Sequence, residues 1–351
     1  MNSFGHKRLS NIEFLRLVAM FMVLIRHANF YALGMPDSVS NKMDSAQIML
    51  MSALELFSSV GVNVYIYISG YFGIKCTLKS ALKFIFQCLF YSFGIFIVLY
   101  LSGVISFSIL GLAECFYLRK INWFPKAYLC LFILAPVLNA YVENSNEKQF
   151  RNTLIAFFIF QTIFGCISEA THFISLGYSA MSFIGLYLLA RYVRLYPQKI
   201  FELSAFKNFS IYVAISSILS IIAFVLISNG NFGAFYRLNA YCDPLVILSS
   251  LFLLLGFVRI NFSNGFINKI AASCFAVYLV HSNPNVIERF YTATIRYIHV
   301  NIGQFELIFI FLFLLGVFII SILLDQVRII LWNGIYKILC RNHLRKVCHY
   351  E

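Results

Sequence analysis

What most limits the folds open to this chain is the recurrence of apolar runs long enough to cross a lipid bilayer. A spanning helix needs about 20 apolar residues. Against that length the chain offers ten candidate helices, approximately 12–33, 47–72, 80–101, 126–142, 152–168, 173–190, 208–228, 240–258, 268–284 and 305–330. The fourth, fifth and ninth are short enough to be tilted or partly buried. Residues 103–118 have the length of an extra re-entrant or interfacial piece. Only 12% of the residues are charged and 61% are hydrophobic, whereas a soluble domain is about 25% charged. Such a chain cannot cover a globular surface with polar groups. The expectation is an all-α, polytopic integral membrane protein of about ten transmembrane helices. No repeat, long linker or low-complexity region divides it, so residues 1–351 are read as one domain.

The formal net charge of +13 raises nucleic acid or acidic lipid as partners. No nucleic-acid motif accompanies it, and the basic residues fall mostly in short loops between apolar runs. With the N-terminus in the cytoplasm, Lys75, Lys79, Lys83, Arg191, Arg194 and the C-terminal basic group lie inside, along with the larger share of the 27 Lys and Arg residues. Lys42, Arg119, Lys120, Lys126, Arg237, Arg289 and Arg296 lie outside. This bias supports ten spans with both termini cytoplasmic. His6-Lys7-Arg8 before an apolar run resembles a signal peptide only superficially, because Arg26 and His27 interrupt the run and no small-residue cleavage site is evident. The nine cysteines show neither a C-x-x-C pair nor zinc-like spacing, and nothing in their order argues for a disulfide framework.

Ionisable side chains within an apolar run are costly and by default mark a functional pathway. Arg16 and His27 are two such groups in the first run. Eleven helical steps turn through about 1100°, only ~20° beyond three full turns, and rise ~16 Å. The two therefore share one helix face, separated by about half the hydrocarbon thickness. That suits a long ligand with an anionic end near Arg16 and a reactive end near His27. Glu13, three residues before Arg16, is placed to pair with it. Two readings stand side by side. Glu13, Arg16 and Arg26 fit side chains that snorkel to the interfaces, and His27 is either a proton acceptor for a hydroxyl nucleophile or a structural histidine.

Three further blocks carry polar chemistry. Gly61 to Phe72 ends the second run at the inner face, with Ser69-Gly70 permitting a kink or close packing. Lys75, Lys79 and Lys83 follow, either as ordinary inside charges or as partners for a phosphate-bearing ligand. Ala276 to Asn285 places His281, Asn283, Asn285 and Glu288 at an outer polar mouth. Trp123-Phe124 with Tyr128 opens the fourth run, as an interfacial aromatic belt or as faces for sugar rings.

Together these blocks resemble the acyltransferase-3 superfamily. Ile12 to Ala19 leading to His27 resembles its first-helix signature of an arginine, ten residues and a histidine. Gly61-Val62 through Ser69-Gly70-Tyr71 resembles its second-helix block, Trp123-Phe124 with Pro136 its mid-chain block, and Tyr278-Leu279-Val280-His281 its late block. The blocks keep family order across most of the chain. Tyr65 and Tyr67 stand where phenylalanine is common, and Pro284 comes later after His281 than is usual.

The resemblance implies a stand-alone membrane O-acyltransferase that moves an acetyl group from cytoplasmic acetyl-CoA to a sugar hydroxyl of a bacterial surface polysaccharide or its lipid-linked precursor. It implies His27 as the catalytic residue, with Arg16, Lys75, Lys79, Ser69 and Tyr71 serving the donor. Trp123, His281 and Asn283 would form the acceptor mouth, supported by Glu13 and Arg26. Acetyl-CoA would be a co-substrate with no permanently bound cofactor or metal, the partners would be glycan and membrane lipids, and the location the bacterial inner membrane. The rival expectation is a glycan or lipid-intermediate transporter or flippase.

Overall fold

Many of the helices start where short polar side chains take up the free amide N–H groups of a first turn. The computed structural model describes residues 9–36, 43–118, 122–168 and 174–342. It is helical, with no strand among the described residues. The first helix, α1 (Ser10–Arg26), runs into a five-residue π turn, His27–Tyr31. A capping box of Asp44 and Gln47 starts α2 (Ser45–Ser58), and α3 (Gly61–Phe72) follows almost at once. A second box, Thr77 with Ser80, starts α4 (Leu78–Leu101). The short α5 (Ile109–Cys115) precedes α6 (Trp123–Asn144). Asn146 with Gln149 caps α7 (Glu147–Thr162), which ends in a π turn, Ile163–Ile167. Then come α8 (Ala180–Leu195), α9 (Ala205–Ser228), α10 (Phe232–Leu238), α11 (Pro244–Val258), α12 (Gly265–Ala271), α13 (Cys274–His281), α14 (Pro284–Val286), α15 (Ala293–Asn301) and α16 (Glu306–Asn342).

Among the described residues, seven stretches are long and apolar enough to cross a membrane: Ser10–Tyr31, Ser45–Phe72, Leu78–Leu101, Trp123–Asn144, Glu147–Ile167, Ala205–Ser228 and Gly303–Ile338. Large apolar side chains such as Val98, Ile133, Ile218 and Leu323 cover the outside. The chain is a membrane protein. The other three expected runs correspond to shorter helices, and polar residues account for the difference. Asp243 caps α11 and Ser179 caps α8, so both start later than hydropathy suggests. The run expected over 268–284 breaks between α12 and α13 at Ala272-Ser273. The piece expected over 103–118 contains α5, whose Ile109 and Leu110 are exposed. Of the basic residues used to orient the chain, Lys7, Arg8, Lys42, Arg119, Lys120, Arg345 and Lys346 lie outside the described residues.

The centre of the bundle is α3. A Cβ on Gly61 would come within 2.8 Å of the Ala19 carbonyl oxygen on α1, and one on Gly70 within 2.5 Å of the Tyr187 carbonyl on α8. Glycine at these two places lets α3 lie directly against both neighbours, the small-residue contact that lipid-embedded helices favour. The remaining sides are held by hydrogen bonds, from Asn63 Nδ2 to the Tyr241 carbonyl (2.9 Å) and from Tyr67 Oη to the Ile247 carbonyl on α11 (3.1 Å). At the rim, α16 carries a fully buried ion pair. The Asp325 carboxylate accepts from Arg328 at 2.9 and 2.6 Å and from Tyr91 of α4 at 2.9 Å. Neither charge is left unpaired in a low-dielectric setting.

Candidate active site

The break at the end of α1 is built by its own polar side chains. Asn29 leaves helical geometry (ψ −123°). Its amide donates to the Met51 carbonyl and to Glu55 Oε2 on α2, both at 2.9 Å. Glu55 is buried, and its other oxygen accepts from Asn239 Nδ2 at 2.9 Å and lies 3.4 Å from Arg26 Nε. Arg26 in turn donates to the Asn239 carbonyl at 3.0 Å, and its guanidinium lies 4.5 Å from the centre of the Tyr241 ring. A buried carboxylate thus has a cation and two amide donors, the condition for keeping charge inside a membrane protein. Local π turns commonly occur at functional sites, and His27 is the first residue of this one, still in helical geometry.

His27 meets His281 of α13. Its Nδ1 lies 2.9 Å from His281 Nε2, and His281 Nδ1 lies 2.6 Å from the Val277 carbonyl. A carbonyl only accepts, so His281 carries its hydrogen on Nδ1. With both rings neutral, His281 Nε2 must then accept, and His27 Nδ1 must donate. The tautomer of His27 follows: its Nε2 bears the lone pair. His281 is fully buried and flanked by Tyr291 and Tyr278, while His27 is half-buried.

His27 lines a cavity of about 580 Å³ together with Arg26, Glu55, Trp123, Tyr178 and Tyr241, among others. Trp123 stacks on Tyr241 and meets Tyr178 edge-on, so one wall is aromatic. Arg16, eleven residues back along α1, lines a second cavity of about 430 Å³ with Ser69, Ser80, Lys83, Gln87 and Tyr128. Between them is a constriction of about 10 Å³ walled by Met20, Val23, Val62, Tyr65, Phe124, Phe275 and Tyr278. Tyr65, Phe124 and Phe275 border both the constriction and the Arg16 cavity, and Tyr278 borders both the constriction and the His27 cavity. The three spaces therefore form a row along one face of α1.

The expected site residues divide between these places. Glu13 is buried and pairs with Arg16 at 3.3 Å. Ser69 lines the Arg16 cavity and shares a 3.2 Å hydrogen bond with Tyr128. Lys75, Lys79 and Tyr71 are not among that cavity's lining residues. Lys79 lies 4.8 Å from the Tyr336 ring centre, and Tyr71 lies under Arg194 at 4.5 Å. Lys83, one helical turn beyond Lys79, lines the cavity instead, with Ser80. Trp123 and Arg26 line the His27 cavity. Both ring nitrogens of His281 are occupied, so it supports His27 rather than offering a free donor. Asn283 is buried and accepts from the Asn285 N–H at the start of α14, and it lines neither cavity. Sequence reasoning missed Glu55, Asn29, Asn239 and Tyr241. Glu55 had a signal, a lone carboxylate within the apolar run 47–72. The other three had none.

Comparison with protein families finds a match to one model, described as an acyltransferase domain of the acyltransferase-3 type, over residues 9–326. That stretch contains α1 to the middle of α16, and so every cavity-lining residue named above. No curated protein and no solved structure matches the chain.

Proposed function

The chain belongs to the acyltransferase-3 family, and from that premise we propose that it transfers an acetyl group from acetyl-CoA to a sugar hydroxyl of a bacterial surface polysaccharide, such as an O-antigen, capsule or exopolysaccharide, or of its lipid-linked precursor. In this reading the protein sits in the bacterial inner membrane with ten spans and both termini in the cytoplasm. The Arg16 cavity opens inward and the His27 cavity outward. Acetyl-CoA enters from the cytoplasm, and its phosphates meet Arg16 and Lys83. The pantetheine arm runs through the constriction beside Val23 and Val62, which brings the thioester towards His27.

The chemistry is general-base acyl transfer. His27 Nε2 takes the proton of the sugar hydroxyl as its oxygen attacks the thioester carbonyl carbon. The tetrahedral intermediate places negative charge on the former carbonyl oxygen, and Arg26 is the one Lys or Arg among the described residues lining that cavity. The carbon–sulfur bond then breaks, and the proton on His27 passes to the departing thiolate. His281 keeps the lone pair of His27 on the reacting side and shares the transient charge. Trp123, Tyr178 and Tyr241 present aromatic faces to a sugar ring.

What supports this reading most is the row of adjoining cavities along α1, with Arg16 and Lys83 lining one end and His27 the other. A transporter requires no such base. The test supplies labelled acetyl-CoA to membranes carrying the protein and the surface glycan. Label on the glycan, lost in His27→Ala with normal membrane expression, is the expected result. Full acetylation by His27→Ala would overturn it. Unmodified glycan held at the cytoplasmic face in cells lacking the protein would point to transport.

A further inference from the structure

Cys166 lies in the π turn that ends α7, and Cys242 lies just before the Asp243 cap of α11. The chain separates them by 76 residues, yet their Sγ atoms are 3.3 Å apart. Both are buried, and they share a small apolar cluster with Ile174 and Ala240. The contact is tight on the backbone side too. A Cβ on Gly165 would come within 3.2 Å of Cys242 Sγ and 2.7 Å of an Ile174 methyl, so the turn carrying Cys166 is pressed onto the loop carrying Cys242. Cys115 and Cys274 differ, because their thiols lie against carbonyl oxygens of Ser92 and Arg16.

A thiol is a weak hydrogen-bond donor, so two of them facing each other in an apolar pocket gain little while reduced. The same pair needs only about 1 Å of adjustment to reach the ~2.05 Å of a sulfur–sulfur bond. Both lie at the His27 end of the bundle, because Tyr241, the residue before Cys242, lines the His27 cavity. In the functional reading above, from which this step borrows only its orientation, that end faces outward, where disulfides form and persist.

We infer that Cys166 and Cys242 are joined by a disulfide bond in the folded protein. It forms by exchange with a disulfide-bearing oxidant of the extracytoplasmic space. One cysteine thiolate attacks the oxidant's sulfur–sulfur bond and gives a mixed disulfide. The second thiolate displaces the oxidant's sulfur. The two electrons and two protons of the cysteine pair leave on the oxidant as two thiols. The bond ties α7 to the 239–243 loop. That loop supplies the carbonyl of Asn239 to Arg26 and the carbonyl of Tyr241 to Asn63, and its Tyr241 N–H donates to Leu176 at 3.1 Å. The crosslink therefore holds one wall of the His27 cavity.

The test purifies the full chain from membranes, denatures it with N-ethylmaleimide and no reductant, and maps the digest by mass spectrometry. The expected result is a linked pair of peptides containing Cys166 and Cys242, with both thiols labelled only after reduction. Maleimide on both cysteines before reduction would overturn the inference. In parallel, reductant is expected to lower the melting temperature of the intact protein by about 5 °C and to leave the C166S/C242S variant unmoved. An equal drop in that variant would also count against the bond. His27→Ala keeps the crosslink whatever its activity. A missing crosslink beside intact acetylation removes only this inference, and a crosslink in a chain that acetylates nothing removes only the proposed function.

Discussion

His27 and His281, 254 residues apart in the chain, meet at 2.9 Å, and the Val277 carbonyl behind His281 determines which nitrogen of His27 is free. The arrangement is a line of three hydrogen-bonded groups that ends on a backbone oxygen. A neutral acceptor orients the imidazole without adding charge to a site inside the membrane, where charge is costly. The consequences for function can be measured separately.

Removing the base itself is the first. His27→Ala is expected to lower acetyl transfer by at least about 10²-fold, within the range typical of a general base. Quantifying the variant in membranes alongside the glycan acetylation assay keeps loss of chemistry apart from loss of protein.

The support is tested by two substitutions of different kind. His281→Phe fills the same space but offers no acceptor, so His27 is free to adopt the wrong tautomer. A fall in kcat of about 10²-fold with little change in KM is expected. His281→Gln retains an acceptor for His27 and a donor for Val277 and is expected to recover much of the rate. Equal activity in Phe and Gln variants would show that His281 only fills space.

The row of cavities makes a steric prediction. Val62 lines the small space of about 10 Å³ that shares walls with both cavities, and Val62→Trp would fill it. Acetyl transfer should fall steeply while retention of labelled acetyl-CoA by the membranes stays near normal. Loss of both together would mean that donor binding and transfer are not separated by this constriction.

At the basic end, Arg16 and Lys83 line the chamber, whereas Lys75 does not. Each of Arg16→Ala and Lys83→Ala is expected to raise KM for acetyl-CoA about 10-fold, roughly 1.4 kcal/mol, and more at low salt than at high salt. Lys75→Ala should change KM little. Steady-state kinetics at two ionic strengths decides this.

The Glu55 network should show its weight in stability. Glu55→Ala leaves Arg26 without its carboxylate in a buried place, at a cost of about 3–5 kcal/mol. Glu55→Gln keeps most of the hydrogen bonds and should cost less. Thermal inactivation in detergent gives the order, and an Ala variant as robust as the parent would show that Asn239 and Tyr241 suffice for Arg26.

Much of this protein was legible in one dimension. Hydropathy is carried by each segment alone, so the helical membrane class followed from the runs, and the 3.6-residue period placed Arg16 and His27 on one face of α1 before any packing was known. Gly70 is similar, because a small residue in an apolar helix announces a close neighbour. The same local signals could not reveal the late starts of α8 and α11 or the break between α12 and α13, since capping residues interrupt hydropathy only slightly. Nor could they show which lysine reaches the chamber. Lys79 and Lys83 are equivalent in sequence, and only the packing of α4 beside α6 and α13 places the exposed Lys83 at the edge of the chamber.

What the chain alone determined is the kind of molecule and the face of its first helix, since both depend on residues within a few turns of one another. What tertiary structure decided is every contact between distant segments: His281 behind His27, Glu55 between Arg26 and Asn239, Cys166 against Cys242. Each depends on how whole helices lie against one another, and that geometry is set by the summed packing of the bundle rather than by any one run of residues.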